Sequence, residues 1–185
     1  MPSTTVVATY HGQQIDLGSG WGGAAICTEV AANDVRCYDN ETEEMQDLAD
    51  ESLGHAVAAS EQGLVVPGAL DTSKTSAHSL NGTIGTKSIA ECTYGYACLY
   101  DTTTYSGRIL RWSATGKKNL SDWTFRDMAG SGCNNRVNGG ARIDDWRTGM
   151  PDPSLYMAVG GCYDFASVDY VYGGNWNNKA DAITL

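Results

Sequence analysis

The chain is poor in histidine, proline and basic residues. Its 185 residues include three histidines, four prolines and 12 Lys/Arg against 22 Asp/Glu, so the formal net charge is −10. No basic run is present that would neutralise phosphate groups, and nucleic acid is therefore not an expected partner. No stretch reaches the roughly 20 apolar residues that span a bilayer, so the sequence predicts no membrane partner either.

Sequence signatures of common enzyme classes are also missing. The chain has no Gly-x-Ser-x-Gly motif, no phosphate-binding glycine loop and no helix with two metal-binding histidines. The best acidic pair is Asp144-Asp145, but adjacent residues of a strand point to opposite faces and cannot easily flank one bond. The sequence therefore predicts a non-catalytic protein, and an enzyme with an unrecognised site is the alternative.

Glycine and cysteine are the two residue types whose numbers indicate the kind of fold. The 22 glycines, with 42% hydrophobic and 18% charged residues, favour a folded, mainly β chain with many tight turns. Six cysteines are an even count, which favours a disulfide framework over a metal site because no Cys-x-x-Cys pair occurs. Disulfides predict secretion, although the first residues lack the basic start and apolar core of a signal peptide.

Cysteine spacing favours one pairing scheme among many. Cys27 and Cys37 flank a predicted hairpin, and Cys92 and Cys98 bracket a short loop that contains glycine. These two local pairs leave Cys133 for Cys162. The six residues are the predicted disulfide cysteines.

The N-terminal part differs from the rest in charge and in predicted elements. Residues 1–90 hold three Lys/Arg and 12 Asp/Glu. We expect two β-hairpins, the first turning at His11-Gly12, and an acidic helix over 41–59. Asn40 can cap that helix, with Glu43 three residues later as in a capping box. The predicted organisation is an N-terminal region over 1–70, a linker or long loop over 71–88 and a second domain over 89–185.

A folded hairpin is predicted directly after Cys98. Tyr100 and Tyr105 bracket a tight excursion, and Gly107 can adopt the positive φ that such a corner requires. This stretch resembles the opening hairpin of a βγ-crystallin Greek key motif, which usually ends in an Asn/Asp-rich turn and a serine. Asp127 and Ser131 match that turn.

The chain departs from the crystallin motif at two positions, and it contains a second, weaker match to the motif. Arg126 and Gly130 stand where the family has an Asn/Asp and a hydroxyl residue. A second unit is expected over 153–185, opened by Leu155-Tyr156 and closed by Asn177-Asn178, with Asp181 and Ala182 replacing the final hydroxyl residues. The resemblance implies an overall α+β chain with a Greek key sandwich at the C-terminus.

The resemblance also implies calcium. Sites in this family take oxygens from both turns, and Ca²⁺ prefers oxygen ligands. Asp127, Asn178 and Asp181 offer side-chain oxygens, and Asn177 offers a carbonyl. The alternative is that these residues only shape the turns.

A second resemblance concerns the partner. The chain resembles secreted actinobacterial proteins that are grouped with peptidase inhibitor family I36. The resemblance lies in the run Cys92-Thr-Tyr-Gly-Tyr-Ala-Cys98-Leu-Tyr and in the Tyr-Ser-Gly hairpin that follows it. It implies a protease as partner, although no reactive segment is identified. The first alternative is a chitin or cell-wall polysaccharide-binding or antifungal protein, with sugar-stacking candidates Trp146, Tyr170, Tyr172 and Trp176. The second is a calcium-stabilised structural domain.

Overall fold

The computed structural model describes residues 5–50 and 92–185, and it shows two β-sheets. Strands β1 to β4 are Val7–Tyr10, Gln13–Asp16, Ile26–Ala31 and Asp34–Tyr38. Strands β5 to β8 are Ala97–Tyr100, Ile109–Trp112, Lys117–Asn119 and Ser131–Asn134. Strands β9 to β12 are Ala141–Asp144, Ser154–Met157, Gly161–Asp164 and Ala182–Thr184. The prediction of a mainly β chain is confirmed.

Helical structure is limited in the described part of the chain. Residues 41–50 are helical, and Asn40 Oδ1 accepts a hydrogen bond from the Glu43 amide at 3.0 Å, as the capping prediction requires. Residues 51–59 of the predicted helix and the predicted linker over 71–88 lie outside the described residues. The 3₁₀ turns are Leu120–Trp123 and Phe165–Ser167. Among the described residues, no helix is long and apolar enough to cross a membrane.

The C-terminal strands form two similar units of four, β5 to β8 and β9 to β12. In each unit the first strand pairs antiparallel with the second and is flanked on its other side by the fourth. The third strand of each unit pairs instead with the fourth strand of the other unit. The two units are therefore interlocked by an exchange of their third strands.

The second unit begins earlier than the sequence predicted. Its opening hairpin consists of β9 and β10, so the unit starts at Ala141 rather than near residue 153. Leu155-Tyr156 lies in its second strand, and Gly160-Gly161 lies at the turn into its third. The repeat is difficult to recognise in the sequence because the long loop between β9 and β10 gives the second unit a different spacing of aromatic residues and glycines from the first.

The two sheets enclose a common core. One buried cluster contains Leu99 and Leu110 of the larger sheet together with Ile143 and Ile183 of the smaller one. Trp112 is fully buried in the same cluster and packs edge-on against Trp123, with ring centroids 5.4 Å apart. Burial of aliphatic and aromatic side chains of this size is the main source of stability in such a fold.

The N-terminal strands extend the larger sheet. Strand β3 pairs parallel with β6, and the order is β11-β8-β5-β6-β3-β4-β1-β2. The helix packs on this junction, where the guanidinium of Arg111 pairs with Glu44 and Glu41. Burial raises the pKa of Glu44 although Arg111 lies beside it. The division into separate domains over 1–70 and 89–185 stays a prediction. Strands from both parts lie in the same larger sheet.

All three predicted disulfides are confirmed. Cys27–Cys37 joins β3 to β4, Cys92–Cys98 closes a short loop before β5, and Cys133–Cys162 joins β8 to β11. No cysteine is free. Cys27–Cys37 and Cys133–Cys162 each link directly paired strand residues, whereas Cys92–Cys98 closes a local loop.

Candidate functional site

Two turns with the predicted calcium residues meet between the interlocked units. The Asp127 amide donates to the Ala180 carbonyl at 2.9 Å, and the Asn178 amide donates to the Ala129 carbonyl at 3.0 Å. Asp127 and Asn178 each have φ of 56°, a left-handed conformation that Asp and Asn tolerate better than most residues. Each turn therefore holds the other through equivalent backbone contacts, in the same conformation.

The neighbouring asparagine has a local role in the second turn. The Asn177 amide donates to Asn175 Oδ1 at 3.2 Å, so these two residues form an Asx-type turn. Asn177 is partly buried, whereas Asn178 is exposed. The structure thus places all four predicted calcium residues in one pair of adjoining turns.

Arg126 occupies the space between two of these carboxylates. Its Nε contacts Asp181 Oδ1 and lies 3.6 Å from Asp127 Oδ2. Asp181 is 1% exposed and its Oδ2 also accepts the Trp146 amide at 2.5 Å, while burial raises the pKa of its carboxyl. A divalent cation bound by Asp127 and Asp181 would have to displace this guanidinium. Calcium binding stays a prediction.

The first turn is joined to the folded hairpin by Ser131. Its buried Oγ donates to the Thr102 carbonyl at 2.7 Å and accepts the Tyr105 amide at 3.2 Å. Gly130 precedes it, and a Cβ atom there would lie 2.5 Å from the Thr102 carbonyl carbon. Position 130 requires glycine because the hairpin backbone approaches too closely for any side chain.

Two of the predicted sugar-stacking residues belong to the core. Tyr170 is 6% exposed and Trp176 is 4% exposed, and their rings meet edge-on with centroids 5.2 Å apart. The Tyr170 hydroxyl donates to the Asp145 carboxylate. Burial and this hydrogen bond raise the pKa of Tyr170 to about 12. Neither ring face is open to a sugar, so Tyr170 and Trp176 are corrected to core residues.

The other two predicted aromatic residues are more accessible. Trp146 is partly buried, and Lys117 Nζ lies 4.8 Å from the centroid of its ring. Tyr172 is 42% exposed, and its hydroxyl donates to the Pro151 carbonyl at 2.8 Å. Stacking on a sugar therefore depends on Tyr172 and on the part of Trp146 that Lys117 leaves accessible.

A loop closed by the Cys92–Cys98 disulfide presents an exposed tyrosine. Tyr94 in this loop is 71% exposed. The Gly95 amide donates to the Asn135 carbonyl at 2.8 Å, and Asn135 Nδ2 donates to the Cys92 carbonyl at 2.6 Å. The sequence predicted the disulfide but not the exposure of Tyr94, because the contacts with Asn135 depend on the fold.

Segments that carry exposed apolar side chains contact residues 134–140 from several sides. Val137 lies within this segment. The Gly160 amide, next to Val159, donates to the Asn134 carbonyl at 2.7 Å. The Tyr156 ring lies against Gly140, where a Cβ atom would collide with it. We call the four exposed side chains the Tyr94 surface; they are Tyr94 (71%), Val137 (66%), Tyr156 (63%) and Val159 (48%).

No protein-family model, no curated protein and no solved structure matches this chain.

Proposed function

We propose that this chain is a secreted, non-catalytic binding protein whose target is a peptidase, and that Tyr94 makes the central contact. The observation that supports this most is an exposed tyrosine on a disulfide-closed loop whose backbone is fixed by Asn135. A loop that is already ordered loses little conformational entropy on binding. Tyrosine is also enriched among the residues that dominate binding energy in protein interfaces.

The proposed fold is a pair of βγ-crystallin-like Greek keys. Its support is the exchange of third strands between the two units and the hydroxyl of Ser131 that holds the folded hairpin. The rings of Tyr100 and Tyr105 meet edge-on with centroids 5.9 Å apart at the corner of that hairpin. These features support the proposed fold, which resembles that of the inhibitors of family I36, and the disulfides support secretion.

The loop geometry favours one mode of contact over another. The Tyr96 amide donates to the Thr93 carbonyl at 3.1 Å, and Gly95 has φ of 94°, so Tyr94 stands on a tight turn. A peptide held for cleavage is extended, and this turn is not. Tyr94 is therefore proposed to fill a pocket of the target with its side chain rather than to present a cleavable bond.

Inhibition assays test the proposal. The wild-type chain, Tyr94→Ala and a matched control, Tyr172→Ala, are titrated against thermolysin-like, subtilisin-like and papain-like peptidases. We expect inhibition of at least one class at micromolar concentration, weakened at least about thirtyfold by Tyr94→Ala because truncating such a residue costs about 2 kcal/mol or more. Tyr172→Ala, which changes an exposed tyrosine of another loop, is expected to inhibit like the wild type. Equal inhibition by Tyr94→Ala would contradict the role of this loop.

Polysaccharide binding is the second candidate function. It is favoured by the exposed Tyr172, which lies beside the exposed Val171 and bonds to a loop that also exposes Met150. Retention of the wild-type chain on chitin or peptidoglycan, lost in Tyr172→Ala and kept in Tyr94→Ala, would favour this function. The same pair of variants thus separates the two candidates.

A calcium-stabilised structural domain is the third candidate. It depends on the paired turns that contain Asp127 and Asp181. Because Arg126 lies between these carboxylates, calcium and the guanidinium compete for the same place. A calcium-dependent rise in melting temperature of the wild-type chain would support this candidate.

A further inference from the structure

Three potential metal ligands converge on the surface of the N-terminal part. They are His11 in the turn between β1 and β2, Asp39 directly after β4, and Glu43 in the first turn of the helix. One ligand atom from each lies within 4.8 Å of the others. His11 Nε2 is 3.2 Å from Asp39 Oδ2. This cluster is not visible in the sequence, because more than one strand separates His11 from both carboxylates.

Backbone contacts bring the three segments together. Strand β1 pairs parallel with β4, with Tyr10 opposite Cys37, and the Cys27–Cys37 disulfide fixes β4 to its other neighbour. Glu43 Oε2 accepts the Asp39 amide at 2.9 Å, which ties the start of the helix to the end of β4. The ligand positions therefore follow from strand pairing and helix capping, whether or not a metal is bound.

Tyr10 orients two of the candidate ligands. Its ring stacks on the His11 ring with centroids 4.1 Å apart, and its hydroxyl donates to Asp39 Oδ1 at 2.5 Å. The second oxygen of Asp39 then faces His11. Residues that bind metals are commonly held in this manner by a hydrogen bond to the atom that does not touch the ion.

We propose that His11, Asp39 and Glu43 form a binding site for Zn²⁺. One imidazole nitrogen and two carboxylate oxygens suit this ion, and its ligand bonds of about 2.0 Å in a tetrahedron place neighbouring ligand atoms roughly 3.3 Å apart. The 3.2 Å between His11 Nε2 and Asp39 Oδ2 agrees with that spacing. The side chains of His11 and Asp39 are 55% and 49% exposed, so the site is open and water completes the coordination.

Competition from sulfur ligands is absent in the folded chain. All six cysteines are in disulfides, and thiolates are the ligands that would otherwise outcompete this site. A bound ion would link the first hairpin, the end of β4 and the helix. Zinc is therefore expected to stabilise the N-terminal part independently of any peptidase target.

Calorimetric titration of ZnCl₂ into the metal-free full-length chain tests the site. We expect one ion per chain at micromolar affinity and a rise in melting temperature. His11→Asn and Glu43→Gln are each expected to weaken binding at least tenfold. Asparagine tolerates the positive φ of 48° at position 11, and glutamine keeps an oxygen that can accept the Asp39 amide, so both variants should fold.

Matched controls distinguish this site from other zinc binding. Asp16→Asn removes an exposed carboxylate of the same hairpin, and His78→Asn removes another histidine; both are expected to bind zinc like the wild type. No binding heat with the wild-type chain would overturn the proposal. Unchanged affinity in both His11→Asn and Glu43→Gln would also overturn it, because the ion would then be bound elsewhere.

Discussion

The Nε atom of Arg126 contacts the buried Oδ1 atom of Asp181, and the two residues come from different interlocked units. The same nitrogen lies 3.6 Å from Asp127 Oδ2. The arginine thus supplies positive charge where two carboxylates and a backbone turn approach one another. It is an internal counter-ion for the paired turns.

Replacing this arginine should strengthen calcium binding. Arg126→Ala leaves Asp127 and Asp181 without the intervening positive charge, so we expect Ca²⁺ to bind at least about tenfold more tightly than to the wild type, about 1.4 kcal/mol. Calorimetry and the calcium-dependent shift in melting temperature measure this. Arg142→Ala is the matched control, since Arg142 is 54% exposed and pairs with Asp144. Equal calcium affinity in the wild type and Arg126→Ala would show that the turns do not form a cation site.

The hydroxyl of Ser131 should contribute measurably to stability. Ser131→Ala leaves the Thr102 carbonyl and the Tyr105 amide without their shared partner, and the site is fully buried. We expect the free energy of unfolding to fall by about 1–3 kcal/mol. Urea unfolding measures the change, with Ser19→Ala as a control because its hydrogen bond to Asp16 is exposed. A loss no larger than that of the control would mean that Ser131 does not hold the folded hairpin.

The buried ion pair between the helix and β6 should be sensitive to the loss of one partner. The side chains of Arg111 and Glu44 are 2% and 1% exposed. Arg111→Leu leaves Glu44 buried without its cation, and we expect a loss of about 3–5 kcal/mol. The double variant with Glu44→Leu should recover part of this loss in urea unfolding. If the single and double variants are equally unstable, the pair does not account for the packing of the helix.

Tyr170 should make stability depend on alkaline pH. The unfolded phenol ionises near pH 10, whereas burial and Asp145 raise the folded pKa to about 12, so the free energy of unfolding falls as pH rises through this window. Tyr170→Phe loses the hydrogen bond to Asp145 but cannot ionise. We expect it to be less stable than the wild type at pH 8, and the difference to shrink above pH 10. A constant difference between pH 8 and pH 11 would argue that Tyr170 titrates normally.

Local features of this fold could be predicted from the sequence. The disulfides join segments close in sequence or in strand pairing, and the helix start was visible because Asn40 and Glu43 interact within one turn. The first hairpin turns at His11-Gly12 as expected, with Tyr10 opposite Gln13. Apart from Cys133–Cys162, which remained once the two local pairs were assigned, these features depend on residues at most ten positions apart along the chain.

Contacts between distant segments could not be predicted in the same way. The parallel pairing of β3 with β6 has no sequence signature, and it determines both the larger sheet and the burial of Arg111. The burial of Trp176 in the shared core and the contact of His11 with Asp39, which depends on the pairing of β1 with β4, are likewise contacts between distant segments. The same types of aromatic residue occur in cores and in binding surfaces. Only the fold therefore shows that Trp176 is buried and that Tyr94 is exposed.

The Cys92–Cys98 loop is proposed to bind a peptidase through Tyr94. The most direct measurement compares the inhibition constants of the wild-type chain and Tyr94→Ala against peptidases of the three classes, with circular dichroism to show that both are folded. We expect inhibition of at least one class at micromolar concentration or below, and a loss of at least about thirtyfold in Tyr94→Ala. A wild-type chain that leaves all three classes fully active at micromolar concentration would contradict it.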